Sequence, residues 1–175
     1  MAPDLTPEEL LRQTPLFRTL DRRVQADLAA QVQYRTFRDG DVIIEAGASG
    51  RTLLLMLRGT AEVFAREGAS RLRLSVLQPG ALFGEISFFS PTASRTADVV
   101  GKEPGMLAIL STELYTGLCR SNPAAAAALE KAVLTLLADR LEETNRMMAG
   151  LMDDFRSSGI QAALGWLSRL FGGKE

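Results

Sequence analysis

Apolar positions recur with changing periods along the chain and divide it into three stretches. Up to Val32 the spacing is helical. Thr6-Pro7-Glu8-Glu9 offers a threonine cap, a proline for the first turn and a glutamate that reaches back to the cap. Asp21 precedes a second helix whose Val24, Leu28 and Val32 share one face. From Asp39 onward, turn signals separate short runs rich in Val, Ile, Leu and Phe: Asp39-Gly40, Gly47-Ala48-Ser49-Gly50, Gly59, Gly68, Pro79-Gly80 and Pro104-Gly105. Their recurrent spacing predicts an antiparallel β-sandwich or roll. Arg71 to Val76 alternates as a strand with one wet face should. Leu53 to Leu57 is apolar throughout and is expected to be buried on both faces.

Beyond Asn122 the period is helical again. Asn122 suits a cap and Pro123 a first helical position, and the alanine run 124–128 belongs to the same helix. Leu134, Leu137, Leu141, Thr144, Met148, Leu151 and Phe155 then alternate steps of three and four, a heptad seam with one polar member. Such a seam lies on the protein's own sheet or forms a dimer through residues 129–155. The polar member favours the dimer, since it has a specific use there.

Residues 156–175 read as a short amphipathic tail after a first domain spanning 1–155. Ile160, Ala163, Leu164, Trp166, Leu167, Leu170 and Phe171 gather on one face, and Gly172-Gly173 ends the pattern. This face covers the chain's own core, docks into a partner protein or lies on a membrane; a polar side poor in Lys and Arg weighs against anionic lipid. Together the three stretches predict an α+β fold: an antiparallel β-roll or jelly roll flanked by N-terminal helices and a long C-terminal helix.

Composition narrows the function. The 175 residues suggest one domain, and 46% hydrophobic content excludes wholesale disorder. No apolar run reaches the ~20 residues of a bilayer span. Met1 to Glu9 carries neither a basic segment nor a long apolar one, so a cytoplasmic protein without a signal peptide is expected. A net charge of −1 is a poor footing for sequence-independent nucleic-acid binding. The chain has no histidine, which removes Ser-His-Asp and Cys-His centres and imidazole-ligated metals. Cys119 is the single cysteine and is expected to act as a small buried apolar residue. Neither catalysis nor a metal is expected.

The strongest chemical signal is Leu82-Phe83-Gly84-Glu85-Ile86-Ser87-Phe88-Phe89 followed by Ser94-Arg95-Thr96-Ala97. A glycine-opened turn leading into a helix offers unpaired backbone N–H groups to a phosphate. Arg95 supplies a planar, permanently charged fork for the same phosphate, and Glu85 accepts hydrogen bonds from a sugar hydroxyl. These parts describe a pocket for a ribose phosphate, although Glu85 and Arg95 could also simply pair on a surface loop.

In order and spacing these residues resemble the phosphate-binding cassette of cyclic-nucleotide-binding domains, a family that includes the Crp/Fnr regulators, kinase regulatory subunits and gated channels. The resemblance covers roughly residues 14–155. It implies that Glu85 holds the ribose 2′-hydroxyl and Arg95 the cyclic phosphate. Phe83, Gly84, Ile86, Ser87 and Thr96 would complete the site, with amides near Gly84, Ile86 and Ser87 cradling the phosphate. Gly40 to Gly47 resembles the family's first hairpin, and Leu57 to Val63 its next turn. Arg140 to Asn145 resembles the dimer helix of catabolite-activator-type regulators, which places Thr144 and Asn145 against the base.

Two departures stand out. Many members carry an acidic residue in the loop where this chain has Gly50-Arg51-Thr52, and only residues 160–175 follow where the regulators carry a winged helix-turn-helix. DNA binding by this chain alone is therefore not expected. The resemblance implies a bacterial sensor of cyclic AMP or cyclic GMP that relays binding to a protein effector through 156–175. Thr96 suits either base, and Thr144 with Asn145 pulls towards cyclic AMP. The alternative is a structural or protein-interaction module whose pocket has lost its ligand.

Overall fold

The computed structural model describes residues 5–67, 70–90 and 92–171; the side chains of residues 67, 151 and 154–171 lie outside that description. Three short helices open the chain: α1 (Pro7–Gln13), α2 (Pro15–Arg18) and α3 (Arg22–Ala29). At α1 the expected capping box is present, with Thr6 N–H donating to Glu9 at 2.8 Å and Glu9 N–H to the Thr6 hydroxyl at 3.3 Å. Asp21 caps α3 by accepting from Val24 N–H at 2.9 Å.

The sheet contains β1 (Gln33–Phe37), β2 (Val42–Ile44), β3 (Thr52–Glu67), β4 (Ser70–Leu77), β5 (Leu82–Phe83) and β6 (Asp98–Ser111), with the short helix α4 (Glu85–Phe89) after β5. Every pairing is antiparallel. The main path runs β1-β6-β3-β4, while β2 also pairs with β6 and β5 with β3. This is the antiparallel roll with helices before and after it that the pattern predicts. Leu53 to Leu57 is buried throughout, as expected for a segment covered on both faces. Phe37, Leu54, Met56, Leu77, Phe83, Val99 and Leu107 pack together as the core.

Two turn expectations are corrected. Gly59 and Pro104-Gly105 do not end strands; they sit inside the long strands β3 and β6, where the register shifts repeatedly between Met56 and Ala61. Gly59 has φ +77°, and a Cβ there would lie 2.6 Å from both Gly105 Cα and the Pro104 carbonyl oxygen. Gly59 meets a demand for positive φ that a bulge shares with a turn, and Gly105 leaves room for the close approach of the two strands. The segment Gly40 to Gly47 is not a hairpin on its own either, since β1 and β2 each pair with β6. Gly40 N–H donates to the Gly101 carbonyl and Gly101 N–H to that of Asp41, so the turn is tied to β6.

Helix α5 (Thr112–Ser121) is capped by Ser111, and α6 (Pro123–Phe171) follows. The chain divides into two compact units, Met1–Val133 and Leu134–Glu175. In the first, Ala125, Ala126, Leu129 and Val133 of α6 are buried. In the second, Leu134, Leu141 and Met148 of the seam are exposed, as are Met147 and Met152. Thr144 bonds back to the Arg140 carbonyl at 2.8 Å and Arg146 pairs with Glu142 at 3.0 Å, contacts within the helix itself. The helix continues through Gly159. The apolar face assigned to Ile160, Ala163, Leu164, Trp166, Leu167, Leu170 and Phe171 lies outside the described side chains, as do those of Leu151 and Phe155. Among the described residues no helix is long and apolar enough to cross a membrane.

Candidate functional site

Strand β5 is two residues long and buried, pairing Leu82 with Leu55 and Phe83 with Leu54. It delivers the chain into Gly84, whose left-handed φ of +83° turns it directly into α4. No side chain caps this helix. By helix geometry its first-turn amides have no intrahelical acceptor, and they bear the positive end of the peptide dipoles. Glu85 and Ser87 are buried in that turn while Ile86 is exposed. The Ser87 hydroxyl donates to the Gly84 carbonyl at 3.4 Å.

Arg95 is only 8% exposed. Its Nη1 donates to the Gly84 carbonyl at 3.0 Å, and its Nη2 donates to the Thr52 carbonyl at 2.9 Å and the Thr52 hydroxyl at 2.8 Å. Burial pushes the guanidinium below the ordinary arginine pKa, and the charge of Glu85 acts the other way. Glu85 and Arg95 therefore belong to one electrostatic site, at the mouth of α4. Thr52 stands in the stretch where an acidic residue was missing, and it holds the arginine through its hydroxyl and carbonyl.

The backbone around Arg95 is pinned as well. Gly47 N–H donates to the Arg95 carbonyl at 2.8 Å, and Arg95 N–H donates to the Ala48 carbonyl at 3.0 Å. Gly50 lies against the guanidinium, so that a Cβ there would be 3.1 Å from Arg95 Nε.

Asp98 escapes the sequence reading. It is 1% exposed and accepts from Ala46 N–H at 2.7 Å, from Arg66 Nε at 3.0 Å and from Arg66 Nη2 at 2.8 Å. Arg71 adds an ion pair at 3.3 Å. The Arg66 bonds foremost hold the carboxyl at about 2, against an ordinary 3.8, with help from the Ala46 amide and the Arg71 charge. No local signal identifies this group, because its partners come from three separate stretches of chain.

Phe88, on the buried face of α4, meets Phe89 and Tyr115 edge to face, at 4.9 and 5.4 Å between ring centres. The Tyr115 hydroxyl donates to the Glu130 carboxylate, and that bond raises the tyrosine pKa above its usual value. Cys119 is a correction: it is half-buried rather than buried.

Of the expected site residues, Phe83, Gly84, Glu85, Ile86, Ser87 and Arg95 lie in or around the turn. Thr96 follows with an exposed side chain. Thr144 and Asn145 are exposed on α6, in the second unit. A cavity of about 30 Å³ sits elsewhere, between α1–α3 and the sheet, lined by apolar side chains such as Leu11, Phe17 and Leu53. It offers a polar ligand nothing. Among the described residues no cluster of carboxylates and cysteine is arranged to hold a metal.

Residues 34–122 match the sequence model of the cyclic nucleotide-binding domain. The cyclic AMP receptor protein of Thermus thermophilus is 34% identical over 137 residues, covering 77% of this chain and 61% of its own length. A cyclic nucleotide-gated channel of Caenorhabditis elegans is 30% identical over 143 residues, covering 78% of this chain and 19% of its own. Among solved structures, the Thermus thermophilus catabolite activator protein superposes with a TM-score of 0.66 at 31% identity, over 79% of this chain and 63% of that one. The chain thus spans less than two thirds of each of these relatives.

Proposed function

The chain belongs to the cyclic nucleotide-binding domain family, and from that membership we propose that it is a sensor of a cyclic mononucleotide that relays binding to a protein partner. The observation that carries this reading is the buried Arg95, held at the mouth of α4 by Gly84 and Thr52 with the Glu85 charge beside it. A buried cation needs oxygen acceptors. Among the described residues, Arg95's bonds to Gly84 and Thr52 use three of the five guanidinium N–H groups, which leaves two for a phosphate.

In this reading Arg95 takes the cyclic phosphate together with the first-turn amides near Gly84, Ile86 and Ser87, and Glu85 takes the ribose 2′-hydroxyl. Phe83 and Thr96 border the same turn. Thr144 and Asn145 keep the base-reading role that the resemblance assigns them, on sequence position alone. That role favours cyclic AMP over cyclic GMP. The relay runs through α6, with the effector at 156–175, and a dimer forms through 129–155. The function includes no catalytic step and no metal.

Titration calorimetry on nucleotide-free protein tests the proposal, with cyclic AMP expected to bind more tightly than cyclic GMP. Arg95→Leu removes charge-assisted bonds worth about 1.5–3 kcal/mol. At ~1.4 kcal/mol per decade, binding should weaken at least about tenfold. Glu85→Ala should weaken it less. No heat with either nucleotide would leave the alternative, an interaction module without a ligand; unchanged affinity in Arg95→Leu would put the phosphate elsewhere.

A further inference from the structure

Three charged side chains are buried among the described residues: Glu85, Arg95 and Asp98. The first two belong to the cassette. Asp98 lies three positions beyond Arg95 and gathers four contacts from three other segments. Arg66 reaches it from β3 through both Nε and Nη2, Arg71 from β4, and Ala46 N–H from the loop between β2 and β3. Arg66 also bridges to Glu45 at 3.2 Å, in the same loop.

A buried carboxylate is seldom kept for stability alone, because its desolvation offsets most of the attraction to its partners, here two half-exposed arginines. What a carboxylate provides here, and an apolar residue could not, is a directed acceptor for the Ala46 amide. That bond fixes one end of the loop. The next amide, Gly47 N–H, bonds to the Arg95 carbonyl; Ala48 accepts from Arg95 N–H; Gly50 packs on the Arg95 guanidinium. The loop is thus clamped between Asp98 and Arg95, which stand on the same stretch of chain.

We infer that Asp98 is a positioning residue for phosphate recognition: braced by Arg66 and Arg71, it holds the Glu45–Gly50 loop against Arg95 and thereby orients the guanidinium that receives the cyclic phosphate. This rests on the binding reading above. Asp98 itself need not touch the ligand. The effect of losing it should pass through Arg95 and vanish when Arg95 is gone.

A double-mutant cycle in the full chain tests this, with cyclic AMP and cyclic GMP as titrants and amide hydrogen exchange followed in parallel by NMR. Groups sharing one hydrogen-bond network couple by about 1 kcal/mol. Asp98→Asn should therefore weaken nucleotide binding about fivefold in the native background, and less than about twofold in Arg95→Leu. Exchange at the Gly47 amide should accelerate in Asp98→Asn. Equal losses in both backgrounds would overturn the inference, as would unaltered Gly47 exchange. Should Asp98→Asn fail to fold, Arg66→Lys keeps the charge but loses the fork, and the same cycle and exchange readout decide the question. A native chain that binds neither nucleotide would end the binding reading, while Gly47 exchange would still report whether Asp98 holds the loop.

Discussion

Gly84 holds φ +83°, and a Cβ built there would overlap Nη1 of Arg95 and lie 2.9 Å from the Thr52 carbonyl oxygen and 3.0 Å from Leu54 Cδ1. Two separate costs meet at this residue. A side chain in the left-handed region stores about 1–3 kcal/mol of strain. The methyl group would also drive the guanidinium off its acceptors. Gly84→Ala is therefore expected to lower the melting temperature and to weaken nucleotide binding by about tenfold, on the scale of one lost charge-assisted bond. Melting curves and titrations separate the two effects. A destabilised variant with native affinity would show that Arg95 finds its place without the glycine.

Among elements, β3, β4, β6 and the β2–β3 loop meet at Asp98, and this junction has an acid dependence. Its folded carboxyl titrates near 2 and the free one near 3.8. A pKa depressed by folding gives stability that is fully present above the unfolded value and is lost as pH falls through the folded one. The native chain should lose stability from about pH 4 down to about pH 2, with a component missing in Asp98→Asn. Identical acid profiles for the two proteins in chemical denaturation would count against the charged junction. The same junction marks how far the sequence could be read. The cassette was legible because Gly84, Glu85 and Arg95 follow one another within a short stretch and announce their chemistry by type. Glu45, Arg66, Arg71 and Asp98 are brought together only by strand pairing, and singly each resembles a solvated surface charge. Gly59 and Gly105 look like turn glycines for a related reason: a bulge and a turn make the same demand on φ at Gly59, and at Gly105 a Cβ would overlap the Arg58 carbonyl oxygen. Helices α1 and α3 and Leu53–Leu57 were readable because capping and burial leave local patterns, whereas the short α2 was not, and α3 stops at Ala29, short of Val32.

For the molecule as a whole, residues 1–133 form one compact unit that contains the core and the cassette. The heptad steps of α6 were legible, but a periodic stripe does not say what covers it; Leu134, Leu141 and Met148 are exposed in the structure. Removal of Ile160 to Glu175 is expected to leave nucleotide affinity and melting temperature nearly unchanged while abolishing recruitment of the effector. If that segment were core, its loss would cost several kcal/mol, at ~25 cal/mol per Å² of apolar surface. Melts of the full and truncated chains, each with and without nucleotide, measure the difference. A large fall in melting temperature would return the segment to the core.

The pairing of β3 with β6 carries a consequence for time. Thr52 lies opposite Ser111 and Phe64 opposite Asp98, so everything from Leu82 to Arg95 is strung inside the loop that this pairing closes. Contacts so distant along the chain form slowly, because closure entropy is spent before they repay it. The cassette cannot exist while that loop is open, since Arg95 is held by Thr52, at one end of the ladder. Nucleotide should thus meet only chains that have already crossed the folding barrier. It would slow unfolding and leave the refolding rate nearly untouched, a partition that stopped-flow chevrons at several nucleotide concentrations would reveal. Refolding accelerated by nucleotide would mean that the cassette assembles before the sheet closes around it.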